Sequence, residues 1–237
     1  MTNMDLASEH SHGYAEARAV NRLLWSARAG IVGPLLFTVG FLAQEFFRRG
    51  EYNPISEPVS ALEAGPNGWI QQINFVVFGV FTILFALGLH RGVRPTRAGV
   101  AGPAIFTWSG VGLILAAAFP LRDDPAGNWY DPTGLHVLNG TIFFFSLGVG
   151  LIVISRRLAR DPRWSALSGY GLGSGIVLML MFGAFGALVR PEHAPLHELA
   201  GVVQRVTIAV WFACTVTLAL RLRSIATDRL TGSAVDH

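Results

Sequence analysis

Six long stretches without charged residues dominate this sequence, and each is long enough to cross a bilayer as a helix. They comprise residues 29–44, 64–89, 98–121, 132–155, 164–189 and 199–220, the last interrupted only by Arg205. A transmembrane helix needs about 20 predominantly apolar residues. The first stretch reaches that length because its apolar run continues to Phe47, with Glu45 at the interface. The pattern predicts an all-α polytopic membrane protein, built as a six-transmembrane-helix bundle.

The composition argues against a soluble protein. Hydrophobic residues make up 51% of the 237 residues and charged residues only 14%, whereas soluble domains carry about 25% charged residues. All 18 basic residues are arginine, and they flank the apolar stretches in small groups instead of forming a basic tract. We therefore expect membrane lipids as partners and no nucleic acid.

Arginine placement predicts the orientation of the bundle. Thirteen arginines lie before the first stretch, after the last, or in the two connections on that same side, whereas four lie in the opposite loops. Because arginine concentrates in cytoplasmic segments, we expect both termini in the cytoplasm of a bacterial plasma (inner) membrane. The domains are then a cytoplasmic tail (residues 1–26), the transmembrane domain (27–222) and a second cytoplasmic tail (223–237). We also expect Trp25 and Trp164 at the inner interface, and Trp69 and Trp129 at the outer one.

The loops on the outer side are acidic, and intramembrane polar residues collect near them. Eight acids in these loops outnumber four arginines. Arg205 lies about six residues into its stretch, roughly 9 Å deep at about 1.5 Å per residue, and Glu45 lies near the outer end of the first stretch. We expect the two to form an ion pair or share a polar network in an outward-facing polar pocket, since buried charges are costly without a partner or a function. The alternative is that Arg205 snorkels to the headgroups.

The first outer loop carries an amphipathic pattern. Its apolar residues recur at spacings of three, four and three: Tyr52, Ile55, Val59 and Leu62. This spacing predicts a short amphipathic helix over the outer mouth of the bundle. We expect Ser56 to cap it, Pro58 to lie in its first turn, Gly65 and Pro66 to end it, and Asn67 to cap the second span.

Polar residues near the outer side provide the candidate site. The predicted pocket residues are Glu45, Asn53, Ser56, Ser60, Asn74, His136, Asn139, Gln204 and Arg205. For catalysis, an acid such as Glu45 or Asp123 could work with His136 as base. His193 and His197 have the i, i+4 spacing of two metal ligands on one helix face, but Pro195 lies between them. We therefore predict no metal site, and no cofactor.

Several short motifs resemble a bacterial and archaeal membrane family known as domain of unknown function 998. They comprise residues 52–62, Gly65-Pro66-Asn67-Gly68-Trp69, Phe119-Pro120 followed by the acid Asp123, Gly134-Leu135-His136, and Gly201-Val202-Val203-Gln204-Arg205. The resemblance extends from about residue 29 to about residue 223 and implies six helices. It implies no reaction.

Three functions fit these observations. The first is binding or moving a lipid or small amphipathic molecule in the outward pocket. The second is a membrane-embedded enzyme that uses acid and base residues on a lipid or isoprenoid substrate. The third is a structural or accessory membrane subunit whose outer face binds another protein. Intramembrane ionisable residues favour the first two over the third.

Overall fold

Six helices long and apolar enough to cross a membrane make up most of the fold. The computed structural model describes residues 3–94, 99–189 and 193–232, and describes side chains from residue 13 onward. The helices are α1 (Asn3–Phe47), α2 (Trp69–Gly92), α3 (Ala101–Ala118), α4 (Leu135–Leu158), α5 (Ser168–Ala184) and α6 (Ala200–Gly232). Their length and apolar composition confirm a multi-pass membrane protein with a six-helix bundle.

The predicted domain boundaries do not coincide with helix ends. Helix α1 begins at Asn3 and α6 continues to Gly232, so the described parts of both predicted tails extend these helices. The remainder of the tails, residues 1–2 and 233–237, lies outside the described residues. Three of the charged loop residues counted above also lie outside the described residues: Arg97, Arg190 and Glu192.

The helices form a ring in chain order. Each packs mainly on its neighbours in sequence, α6 closes the ring against α1, and packing between α5 and α6 is the sparsest of the neighbouring pairs. We call the end that carries residues 48–68, 119–134 and 193–199 the acidic end, and the opposite one the terminal end. Aromatic rings pack against one another in the interior, with the ring centroid of Phe78 lying 4.8 Å from that of Phe37 and 5.2 Å from that of Trp211.

Two glycines of the fifth span, Gly171 and Gly175, allow α5 to pack closely on α4. The Cα of Gly175 faces α4, where an added Cβ would lie 2.9 Å from the carbonyl oxygen of Gly148. A Cβ at Gly171 would lie 2.7 Å from Oγ of Ser155. Small residues allow such approaches where lipid provides no hydrophobic drive, so this pair serves packing within the bundle.

Buried Arg157 joins α4 to the terminal end of α2. It is only 3% exposed, and it donates hydrogen bonds to the carbonyl oxygens of His90, Val93, Arg94 and Gly99. The last carbonyls of a helix lack intrahelical partners and attract cations. Arg157 therefore holds two helices together as well as adding to the arginine-rich end.

Asp161 and Trp164 complete this junction. Asp161 is 1% exposed and accepts hydrogen bonds from the backbone N–H of Arg94 at 2.8 Å and from Nη2 of Arg163 at 2.7 Å. Trp164 is fully buried, and its Nε1 donates to the carbonyl of Gly92 at 3.3 Å. The prediction that Trp164 lies in an interfacial belt is therefore wrong, whereas Trp25 and Trp69 are exposed.

The predicted amphipathic helix of the first loop is present in a shorter form. It is a 3₁₀ helix over Val59–Glu63 that Pro58 precedes in extended conformation, without a side-chain cap from Ser56. Proline disfavours helical backbone in the residue before it, which restricts the helix to the part after Pro58. Tyr52 is buried as expected, but Ile55 is 53% exposed. Asn67 makes no side-chain cap either, and Gly68 occupies that position of α2.

A small hairpin and a capping aspartate lie between α3 and α4. Strand β1 (Arg122–Asp123) pairs antiparallel with β2 (Trp129–Tyr130). Asp131 then accepts hydrogen bonds from the backbone N–H groups of Gly134 and Val137. Carboxylates at a helix N-terminus satisfy N–H groups that have no intrahelical partner, so Asp131 fixes the first turn of α4, which carries His136.

Candidate functional site

Arg205 forms the predicted ion pair with Glu45. Its Nη2 lies 2.5 Å from Oε1 of Glu45 and 2.7 Å from the hydroxyl of Tyr52. Its Nη1 donates to the carbonyl oxygens of Pro54 at 2.7 Å and Glu57 at 3.0 Å. The ion pair is thereby confirmed, and protein groups occupy both terminal nitrogens of the guanidinium, in place of the headgroup contacts of the snorkelling alternative.

The same network fixes residues 52–58, which we call the first-loop segment, against α6. Burial raises the pKa of the Tyr52 phenol well above its ordinary value, so the hydroxyl stays protonated while it accepts from Arg205. The backbone N–H of Val202, in the first turn of α6, donates to the carbonyl of Ile55 at 3.1 Å. Gly201 permits this approach, because a Cβ there would collide with the carbonyl oxygens of Pro54 and Glu57.

A cavity of about 280 Å³ lies beneath this segment in the acidic half of the bundle. Every helix contributes residues to its lining. In each helix, the described lining residues lie within 12 residues of the acidic end of that helix. Pro58, Val59 and Ser60 form part of its boundary on the loop side. The 3₁₀ helix therefore borders the cavity at the end of the bundle where the sequence pattern predicted a short helix.

The lining of the cavity is divided along the helices. Aromatic side chains that lie two to three turns into the helices form its body, among them Phe37, Phe75, Phe78, Phe143, Trp211 and Phe212. Polar side chains lie nearer the acidic end: His136 and Asn139 in the first two turns of α4, Gln204 in the second turn of α6, and Ser60 in the 3₁₀ helix. Thr141 and Thr207 lie deeper, but their hydroxyls donate to carbonyls of their own helices. The cavity is thus mainly apolar, with most of its polar side chains towards one end.

Glu63 and His136 form a buried pair at this polar end. Oε2 of Glu63 lies 3.1 Å from Nδ1 of His136, and the two side chains are 0% and 8% exposed. Nδ1 also lies 3.1 Å from the carbonyl oxygen of Phe119. The carbonyl oxygen of Phe119 can only accept a hydrogen bond, so Nδ1 carries the proton. In the neutral ring Nε2 is then the acceptor, and it makes no hydrogen bond to the described residues.

The surroundings of Glu63 favour its neutral form. Burial raises the pKa of the Glu63 carboxyl, and the contact with His136 opposes that rise without cancelling it. Its Oε1 is enclosed and has no hydrogen-bond partner among the described residues. A buried carboxyl beside an imidazole is a common way to orient a histidine for proton transfer or hydrogen bonding.

Comparison with known families supports the motif resemblance. The family described as a protein of unknown function (DUF998) matches residues 31–221. The chain belongs to this family. No curated protein and no solved structure shows a significant match. The DUF998 region contains the whole Arg205 network, the Glu63–His136 pair and every described residue that lines the cavity.

Four of the nine predicted pocket residues line the cavity: Ser60, His136, Asn139 and Gln204. The other five lie outside its lining, for reasons visible in their contacts. Glu45 and Arg205 are paired with each other beneath the first-loop segment. Asn74 donates to the carbonyl of Phe37 at 3.0 Å and so faces α1.

Asn53 and Ser56 belong to the first-loop segment itself. Asn53 is exposed, and its side chain accepts from the backbone N–H of Ile55 within the turn. Ser56 is half-buried beside it and does not reach the cavity lining. Both residues therefore shape the turn over the bundle.

The acid beside His136 is Glu63, and neither Glu45 nor Asp123 takes that place. Asp123 is exposed in the hairpin strand β1. Sequence reasoning counted Glu63 only as one of the acids in the outer loops. Its position four residues after Val59, on the same side of a helical turn, is the signal that could have placed it inward.

The two histidines of the 193–197 segment do not lie on one regular helix. His193 is exposed, and a 3₁₀ helix begins only at His197, after Pro195. Nδ1 of His197 lies 3.0 Å from the carbonyl of Val189, and the residue lines the cavity. Within the described residues, no three His, Cys, Asp or Glu side chains are grouped as metal ligands.

Proposed function

We propose that this membrane protein binds or moves a lipid or another small amphipathic molecule in the cavity at its acidic end. The observation that carries the proposal is the division of the lining into an aromatic body and a polar end. Ligand pockets are typically apolar with a few polar groups that fix orientation. An amphipathic molecule has the same division, with an apolar chain for the aromatic body and a polar group for the other end.

The volume of the cavity supports a ligand of limited size. About 280 Å³ lies near the lower end of the roughly 300–1,000 Å³ that ligand pockets enclose. This volume favours a small amphipathic molecule, or one short chain segment with its polar group. A larger ligand would extend between α5 and α6, where helix packing is sparsest.

The proposed orientation places the cavity on the outer side of the plasma membrane. Thirteen of the 18 arginines lie on the terminal side of the apolar stretches, and such residues concentrate on the cytoplasmic side. The binding site would then receive its ligand from the outer leaflet or from outside the cell. Accessibility of a cysteine added in the 124–128 turn to a membrane-impermeant reagent tests this orientation.

A cavity-filling variant tests the binding proposal. Gly140 lines the cavity, and a Cβ there would meet no atom within 4 Å. Gly183 offers a matched control, because it also has no neighbour within 4 Å but lies outside the described lining. We expect mass spectrometry of gently purified protein to detect a co-purified amphipathic molecule in the parent and in Gly183→Leu. Gly140→Leu should lose it, and equal retention by both variants would contradict the proposal.

A membrane-embedded enzyme is the second candidate, and the Glu63–His136 pair is the observation that favours it. A histidine oriented by a buried carboxyl can accept a proton from a bound hydroxyl. If the protein is such an enzyme, incubation converts the co-purified molecule into a product, and His136→Gln and Glu63→Gln each abolish the conversion. Unchanged ligand after incubation supports binding alone.

A further inference from the structure

The cavity offers no formal charge to a ligand from the described residues that line it. The described lining contains no Asp, Glu, Lys or Arg, and its titratable residues are His136 and His197. The nearby carboxyl groups are engaged by other side chains, Glu45 by Arg205 and Glu63 by His136. Burying an ionic headgroup without a paired charge is strongly unfavourable. These features favour a ligand whose polar group is neutral.

Three polar side chains of the lining each have one hydrogen-bonding group left unused by the described residues. Oε1 of Gln204 accepts from the backbone N–H of Val59 at 2.6 Å, which leaves its amide NH₂ as a donor. The NH₂ of Asn139 donates to the carbonyl of Gly112, which leaves Oδ1 as an acceptor. His136 uses Nδ1 towards Glu63, which leaves Nε2.

None of these three unused groups is enclosed by protein. The enclosed polar atoms that lack a partner are on other side chains, such as Oε1 of Glu63 and Nε1 of Trp211. The hydroxyl of Ser60, which makes no hydrogen bond to the described residues, adds a further donor and acceptor, so the polar end of the cavity presents both kinds of group to whatever occupies it. A hydroxyl group both donates and accepts, so it matches this set better than an ether oxygen or a carbonyl, which only accept.

We propose that the cavity binds a neutral lipid bearing a free hydroxyl group. The hydroxyl donates to Oδ1 of Asn139 or to Nε2 of His136, which Glu63 orients, and it accepts from the amide of Gln204. The hydrocarbon chain packs on the aromatic body. This inference rests on the binding function proposed above and adds the chemical class of the polar group.

A series of twelve-carbon competitors tests the headgroup. Trp129 and Trp211 line the cavity, so a brominated dodecanol that enters it quenches their fluorescence. The competitors are dodecan-1-ol, dodecyl methyl ether, lauric acid and dodecyl phosphate, added at known mole fractions to nanodiscs of uncharged phospholipid. Gly140→Leu is the site control and should abolish the saturable quenching.

We expect dodecan-1-ol to compete at a mole fraction about tenfold or more below that of its methyl ether, which lacks the donor. Gln204→Leu and His136→Leu should each reduce the difference between the mole fractions at which the alcohol and the ether compete. If either variant fails to fold, competition against the wild-type protein alone tests the headgroup assignment. Equal competition by ether and alcohol, or stronger competition by the acid or the phosphate, would overturn the headgroup assignment while leaving the cavity as a binding site. Absence of saturable quenching by any compound would instead overturn the binding function.

Discussion

The backbone N–H of Val59 donates to Oε1 of Gln204 across 2.6 Å, directly beside the place where Arg205 binds the first-loop segment. Two consecutive residues of α6 thus bind the first loop. Arg205 donates hydrogen bonds to the carbonyls of Pro54 and Glu57, and Gln204 accepts one at the start of the 3₁₀ helix. Gln204 faces the cavity and Arg205 does not. The arginine therefore supports the boundary of the site, while its neighbour belongs to the site.

Replacing Arg205 should loosen this boundary. Arg205→Gln removes charged hydrogen bonds worth about 1.5–3 kcal/mol each and leaves Glu45 without its cation. We expect the amides of Glu57 and Val59 to exchange with deuterium at least about tenfold faster, while the helices keep their protection. Arg49→Gln is the control, because Arg49 lies at the same end and packs its guanidinium on Phe46. Equal exchange in both variants would mean that Arg205 does not hold the segment.

Asp161 should make the fold sensitive to acid. Hydrogen bonds from Arg163, and then from the backbone of Arg94, hold the pKa of Asp161 at about 2, below its ordinary 3.8. A lowered pKa stabilises the fold above the ordinary value, and this contribution is lost as pH falls from 3.8 through about 2. Asp161→Asn should cost about 2 kcal/mol at neutral pH, and the difference from the parent should shrink across that window. Exposed Asp228→Asn should change little.

Glu63 should have the opposite pH dependence. Because burial raises the pKa of its carboxyl above 4.5, its contribution to stability is complete below pH 4.5 and is lost as pH rises through the raised pKa. Glu63→Gln stays neutral throughout, so its melting temperature relative to the parent should increase as pH rises above 4.5. Thermal unfolding in detergent at several pH values measures this trend. A difference that is constant with pH would show that the Glu63 carboxyl is not perturbed.

The contact between α4 and α5 should tolerate no added methyl group at Gly175. Gly175→Ala places a Cβ 2.9 Å from the carbonyl of Gly148, and such overpacking costs about 1–3 kcal/mol. Gly173, on the same helix, has no neighbour within 4 Å of an added Cβ, so Gly173→Ala should be neutral or slightly stabilising. Comparison of the two unfolding midpoints checks this, and similar midpoints would argue against close packing at Gly175.

The sequence predicted the helices and one long-range contact well, because both depend on coarse properties. Hydrocarbon requires about 20 apolar residues for each crossing, which fixes six helices without further detail. Arg205 and Glu45 carry opposite charges at similar depth, so their pairing followed from the cost of leaving either alone.

The sequence could not predict which residues line the cavity, because this depends on the rotation of each helix about its axis. Asn74 and Asn139 look alike in sequence, each a few residues inside a span, yet one faces the backbone of α1 and the other lines the cavity. The inward position of Glu63 depends on the shortened 3₁₀ helix after Pro58. Tertiary packing decided both features.

Photolabelling tests the central claim, occupancy of the cavity, most directly. A dodecanol with a diazirine near the end of its chain would be activated in membranes that contain the protein, and the labelled peptides mapped by mass spectrometry. We predict saturable labelling of Phe143, Phe144 and Phe212, competed by unlabelled alcohol and absent in Gly140→Leu. Labelling confined to side chains on the outer surface of the bundle, such as Leu138 and Leu180, would contradict the account.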